Sequence, residues 1–188
     1  EMTEGRKIIV QRGGKLILDG AKITSVCGNF WHGVEVWGNP SVPQGDVSSN
    51  GQGQVIIING GTIENAEVGV AATHFGPTGL PDFAFDGGII RGNKAVFKNN
   101  ITAVQLWAYH GSIMTNFSNF KNCTFITDAN WIDNNIYPKS FVDLTDVDFV
   151  TMLGCSFKNT APGNFPVGNR GTGIFSVDAF FRVANFCL

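Results

Sequence analysis

A chain of 188 residues with a formal net charge of −2 and 15% charged residues offers nucleic acid neither a basic surface nor a Lys/Arg run. No apolar stretch approaches the roughly 18 residues that suggest a membrane span. The 43% hydrophobic content suffices to fill one domain core, and low charge with abundant Gly, Asn and Thr is common in secreted β-solenoids and unlike a cytosolic helical enzyme.

In chain order, Glu1 to Lys7 leads at once into a strand signal at Lys15 to Leu18. Ile23 to Asn39 carries a Cys-Gly loop and the segment Trp31-His-Gly-Val-Glu-Val-Trp-Gly38. The loop Gly38 to Gly53 is polar, and its Pro and Gly residues oppose regular structure. Further short runs follow at Val55 to Ile58, Val68 to Val70, Gly88 to Ile90, Ala103 to Leu106, Thr124 to Ile126 and Phe141 to Phe149. Each is rich in β-branched or apolar residues and bounded by Gly or Asn, which reads as a strand; no segment sustains a helical period. The loop Phe75 to Gly87 holds Phe75, Leu80, Phe83 and Phe85, apolar enough to fold back on the body or to meet a partner.

One frame recurs along these runs: an apolar residue, a spacer, then a residue able to adopt positive φ. Ile63 with Asn65, Phe97 with Asn99, Phe120 with Asn122, Met152 with Gly154 and Val183 with Asn185 all fit, at intervals of 34, 23, 32 and 31 residues. Asn and Gly enter the left-handed region most cheaply, so their sole use at the third place points to a backbone requirement. The expectation is an all-β right-handed parallel β-helix of stacked turns with loop insertions, in a single domain over residues 1–188, with Asn65, Asn99, Asn122, Gly154 and Asn185 forming one turn column. A sandwich is the competing fold. The chain stops at Phe186-Cys-Leu188 inside the repeat pattern, which suggests a fragment of a longer multidomain protein.

The segments Lys15 to Ile23, Trp31 to Gly38 and Gly53 to Ala66 resemble the β-helix region of large secreted surface proteins of the Bacteroidota type, many of them exported by type IX secretion. The resemblance covers residues 7–110, with the remainder similar only as generic coils. It implies an extracellular β-helix within a multidomain protein, secreted or at the cell surface, and it implies no reaction.

Chemistry must therefore be sought in residues. Asp143, Asp146 and Asp148 form the densest acidic cluster. If Val142, Leu144, Val147 and Phe149 point inward, a bend or bulge falls near Thr145, and Asp146 and Asp148 share an outer face at a separation suited to work on one glycosidic bond. Solvated outward charge is the plainer reading, for these as for Glu64 and Glu67. His32, His74 and His110 lack an acidic neighbour in sequence, although stacking can supply one. Trp37, Trp107, Tyr109, Trp131 and Tyr137 are candidates for stacking against sugar rings, or else roof the core beneath the loops.

Cys123 and Cys155 each follow a bend residue and suit a small ladder slot, taken earlier in the chain by Ala66 and Asn100; pairing among Cys27, Cys123, Cys155 and Cys187 is left open. Their spacing fits no zinc site. The sequons at Asn100, Asn116 and Asn122 fall within the repeat frame and read as structural. Two function classes follow. The first is a non-enzymatic surface module for adhesion, carbohydrate contact or spacing, meeting a polysaccharide, a cell-surface partner or neighbouring domains. The second is a β-helix polysaccharide lyase or hydrolase, for which calcium is the one candidate cofactor.

Overall fold

Alternating apolar runs need one covered face and continuous runs two, and stacking the runs as parallel strands around a core supplies the first and, under a covering loop, the second. The computed structural model describes residues 1–26, 28–45, 51–109, 116–161, 163 and 165–185. Cys27, His110 and Cys187 lie outside the described residues.

Successive turns comprise β1 (Lys7–Val10), β2 (Lys15–Asp19) and β3 (Lys22–Ile23); then β4 (Trp31–Val36), β5 (Gln54–Ile58) and β6 (Thr62–Glu64). After β7 (Ala66–Ala71) an antiparallel hairpin of β8 (His74–Phe75) and β9 (Pro81–Asp82) is inserted before β10 (Ile89–Asn93) and β11 (Val96–Lys98). The stack continues with β12 (Thr102–Leu106), β13 (Asn119–Lys121) and β14 (Thr124–Thr127), then β15 (Ser140–Thr145), β16 (Asp148–Leu153) and β17 (Ser156–Asn159), and last β18 (Thr172–Val177) and β19 (Phe180–Ala184).

Each strand of the stack, β8 and β9 apart, pairs in parallel with its counterpart one turn away. A first sheet has the order β1-β4-β7-β12-β15-β18, a second β2-β5-β10-β13-β16-β19 and a third β3-β6-β11-β14-β17. This is the parallel β-solenoid that the repeat implied.

The interior is filled by in-register rows. Val34, Val70, Val104 and Val142 align in the first sheet, and all are buried. In the third sheet Ile63, Phe97, Phe125 and Phe157 align, and their rings stack along the axis: Phe97 on Phe125 and Phe125 on Phe157, each at 4.9 Å between centroids. In the second sheet Gly92 stands in the row of Ile57, Phe120 and Met152. A Cβ there would lie 2.8 Å from Cys123 Sγ and 3.2 Å from the Phe120 ring, so the missing side chain is the space those groups occupy.

The turn residues make two columns, where the sequence frame implied one. Between the second and third sheets run Gly20, Asn59, Lys94, Asn122 and Gly154, with φ from 53° to 62°. They are joined by N–H donation from Gly20 to Ile58, Asn59 to Asn93, Lys94 to Lys121, Asn122 to Leu153 and Gly154 to Ala184. Asn185 follows Ala184, the acceptor of the Gly154 N–H, and so holds the next place. Asn65 (φ 58°) and Asn99 (φ 51°) belong to a different corner, between the third and first sheets. The short interval from Phe97 to Phe120 thus crosses from one corner to another; the in-register partner of Phe97 is Phe125. The cysteine slot shifts accordingly: Gly61 and Ala95, not Ala66 and Asn100, precede Cys123 and Cys155 in it.

Long connections leave from the corner between the first and second sheets in three consecutive turns: after β4, after β7 and after β12. At the same corner β15 passes straight to β16 through Asp146 (φ 54°), the bend expected near Thr145. Phe149 does not point inward as the alternation suggested. A bulge with Phe149 at φ 62° turns it outward, half exposed, and brings Val150 into the core instead.

Candidate functional site

Strands of the first sheet send alternate residues outward, and the register lines these up as Ile9, Glu35, Ala71, Gln105 and Asp143. An outward Glu, Gln or Asp is ordinarily solvated, yet Glu35, Gln105 and Asp143 are buried. Glu35 is covered from the insertion that follows β7, which folds back over the sheet. Its anchor is an aromatic group: Trp37 packs on His74 at 4.8 Å and on Phe85 at 4.7 Å, and the Arg12 guanidinium lies 5.1 Å over Phe85. Arg12 also donates to the Gly38 carbonyl at 2.7 Å and to that of Ala84 at 2.6 Å.

Between the insertion and the sheet lies a groove of about 540 Å3. The insertion supplies an apolar wall of Phe75, Pro77, Leu80 and Pro81; the sheet side presents Lys7, His32, Glu35, Glu67, Gln105, Trp107 and Lys139. Such a volume falls in the roughly 300–1,000 Å3 range of small-ligand clefts. The Trp107 ring is half buried in this lining, edge-on to Phe83 at 6.5 Å.

Glu35 is the electrostatic centre of the floor. It accepts from Lys7 Nζ at 2.6 Å, from Trp37 Nε1 at 2.9 Å and from His74 Nδ1 at 2.9 Å. Burial pushes its carboxyl up, but the bonds from Lys7, His74 and Trp37 and the Lys7 charge outweigh that and hold it below the usual value. The ionised carboxylate only accepts, so the His74 proton sits on Nδ1. Nearer the open edge, His32 Nδ1 lies 2.6 Å from Glu67 Oε2, both side chains about half exposed. The backbone between these pairs is fixed by Gly33 at φ 104°, where a Cβ would fall 1.6 Å from the Val68 carbonyl oxygen.

The three aspartates singled out in sequence stand at three places in the fold. Asp143 is on the outer face of the first sheet, accepting from Gln105 Nε2 at 3.4 Å and facing Lys139 Nζ at 3.5 Å. Asp146 forms the corner, and Asp148 opens β16 in the next sheet. Glu64 bridges Lys22 at 3.0 Å and Lys98 at 3.3 Å across neighbouring turns of the third sheet.

Of the aromatic candidates, Trp107 alone lines the groove. Trp37 anchors the insertion. Tyr109 is buried and donates its O–H to the Val42 carbonyl at 3.0 Å. Trp131 is buried against Phe30 and Phe165, its Nε1 donating to the Asp133 and Ile136 carbonyls, while Tyr137, part exposed, meets Phe165 edge-on. These rings roof the core and its satellite cluster. Asn100 is likewise structural, its side chain accepting from the Ala66 amide and donating to the Ile63 carbonyl.

A second cavity of about 390 Å3 is lined by Pro40, Phe83, Asp86, Ala108 and Asp146. Asp86 is fully buried, and among the described residues neither carboxylate oxygen has a hydrogen bond of good geometry. Burial pushes its carboxyl up to about 6; the nearby Thr73 hydroxyl offsets part of this and the Asp82 charge adds to it. Among the described residues no three His, Cys, Asp or Glu side chains gather as a metal site.

The sequence reading passed over Glu35, Lys7, Gln105 and Lys139. Glu35 was legible as the one outward position between Val34 and Val36, but its partners come from other turns and from the insertion. No family model matches the chain, and neither a curated protein nor a solved structure matches it.

Proposed function

We propose that this chain is an extracellular surface module that binds a polysaccharide in the groove between the first sheet and the insertion after β7. The observation that carries the reading is the lining itself. Trp107 offers a ring face, and Gln105, Glu67, His32 and Lys139 offer polar groups of both signs around it. Sugars present apolar ring faces and peripheral hydroxyls, which call for an aromatic platform bordered by donors and acceptors. A stacked sheet face also runs on past the groove, which suits a long polymer. An extracellular setting accords with the resemblance of residues 7–110 to secreted surface β-helices.

The test is retention on a panel of soluble and insoluble polysaccharides by affinity electrophoresis and pull-down. The reading expects binding to at least one glycan, weakened about tenfold or more by Trp107→Ala in a protein that still melts cooperatively. Absence of retention across the panel by folded protein, or retention unchanged in Trp107→Ala, overturns it.

One contact favours a second reading, a lyase or hydrolase: the His32–Glu67 pair at the groove's open edge has the geometry of a general acid or base and its orienter. Release of reducing ends or unsaturated products, lost in Glu67→Gln with binding retained, would select it. Binding without turnover selects the non-enzymatic module.

A further inference from the structure

Directly after the left-handed residues between the second and third sheets runs a column of small residues. Ala21, Gly61, Ala95, Cys123 and Cys155 take the same place in successive turns, tied by N–H donation from Thr62 to Ala21, Val96 to Gly61, Thr124 to Ala95 and Ser156 to Cys123. Three turns fill the slot with Ala or Gly, so packing there sets no need for sulfur. Two adjoining turns nevertheless carry it, as free thiols.

The Cys123 thiol donates to the Lys121 carbonyl at 3.4 Å; the interaction between the two sulfurs pushes Cys155 down, against its burial, and, with burial, Cys123 up. Neighbouring parallel strands hold facing Cα atoms roughly 4.8 Å apart, within the roughly 4.4–6.8 Å that a disulfide bridges. Cys123 is buried, in the space left by Gly92. Cys155 is part exposed, its Sγ 3.4 Å from the Phe120 carbonyl oxygen. The pair thus has one thiol open to solvent and one waiting behind it.

We propose that Cys123 and Cys155 are a redox pair that closes to a disulfide across adjoining turns by exchange with a small disulfide such as oxidised glutathione. The Cys155 thiolate attacks one glutathione sulfur, forming a mixed disulfide and releasing one glutathione thiolate. Cys123 then gives up its proton to that thiolate or to water and attacks the Cys155 sulfur, expelling the second glutathione. Two protein thiols are oxidised to one S–S bond, and one oxidised glutathione is reduced to two thiols. The product joins two turns of the stack covalently and constrains the unfolded chain, so the oxidised form melts higher.

The experiment is titration of the native protein with oxidised glutathione, acid quench and peptide mapping, with melting of each form. The expected product links the Cys123 peptide to the Cys155 peptide and raises Tm. Cys123→Ala, which leaves the Gly92 space unfilled and lowers the reduced protein's Tm slightly, is expected to trap glutathione on Cys155. The proposal is overturned if native protein accumulates only glutathionylated Cys155, if both thiols stay free at a large excess of oxidant, or if the link forms only in denaturant.

Discussion

Lys7 and Glu35 meet across the first two strands of the first sheet, Nζ to Oε1 at 2.6 Å, and the same carboxylate receives His74 from the insertion. One buried side chain therefore ties the sheet to the wall of the groove. Because its carboxyl is held below the usual value, its stabilisation is present above the ordinary carboxylate value and is lost as pH falls through the lowered one. Glu35→Gln should cost roughly 2–3 kcal/mol at neutral pH, with the cost shrinking in acid. Urea denaturation at neutral and acid pH checks this, and an equal cost at both would refute it.

Asp86 has the opposite sign. Its folded value of about 6 lies above that of an unfolded Asp, so its stabilisation is present below the unfolded value and is lost as pH rises through the folded one. The full effect is bounded at about 3 kcal/mol. Asp86→Asn should gain on wild type by up to that amount as pH is raised from acid to alkaline. Parallel stability curves for the two proteins would count against the assignment.

Lys94 is the one member of its corner column that is neither Gly nor Asn, yet it has φ 57°. A left-handed backbone costs an ordinary L-residue roughly 1–2 kcal/mol, and the Lys94 side chain is exposed. Lys94→Gly is expected to stabilise by roughly 0.5–1 kcal/mol after the unfolded-state entropy of Gly is set against it. Chemical denaturation measures this directly; a loss of stability would show that the Lys94 stem packs where the backbone strain is offset.

Phe125 stacks between Phe97 and Phe157 and also meets Phe120 edge-on at 6.0 Å. Truncation to Ala leaves a void between two turns and should cost about 3–5 kcal/mol. Phe157→Ala, at a half-buried ring, should cost less. Equal losses from the two substitutions would argue against a continuous ring column.

The strands and the left-handed corners were legible because both depend on local chemistry: β-branched runs, and Asn or Gly where φ must be positive. The assignment of those corners to a single column failed because an apolar residue followed two places later by Asn describes two different corners equally well. Asn65 and Asn122 look alike in sequence and differ only in which strand comes next. Lys94, a poor left-handed residue, concealed the column member that would have fixed the true register. The groove was hidden for another reason. His74 reaches Glu35 across 39 residues of chain and His32 reaches Glu67 across 35, distances that only the stacked register and the folded insertion convert into contacts. The aromatic candidates divide by partners that sequence does not show: Trp37, Tyr109 and Trp131 pack within the protein, and Trp107 lines the groove.

Three consecutive turns send out long connections from the corner between the first and second sheets, and residues 128–139 and 160–171 leave from the corner between the third and first, while the in-register rows within the sheets continue. Shape and register are thus written in separate places on this molecule. A foreign peptide spliced into those connections would be displayed from anchor points roughly 4.8 Å apart along the axis, as on the teeth of a comb, with the ring column and the valine rows left to hold the spacing.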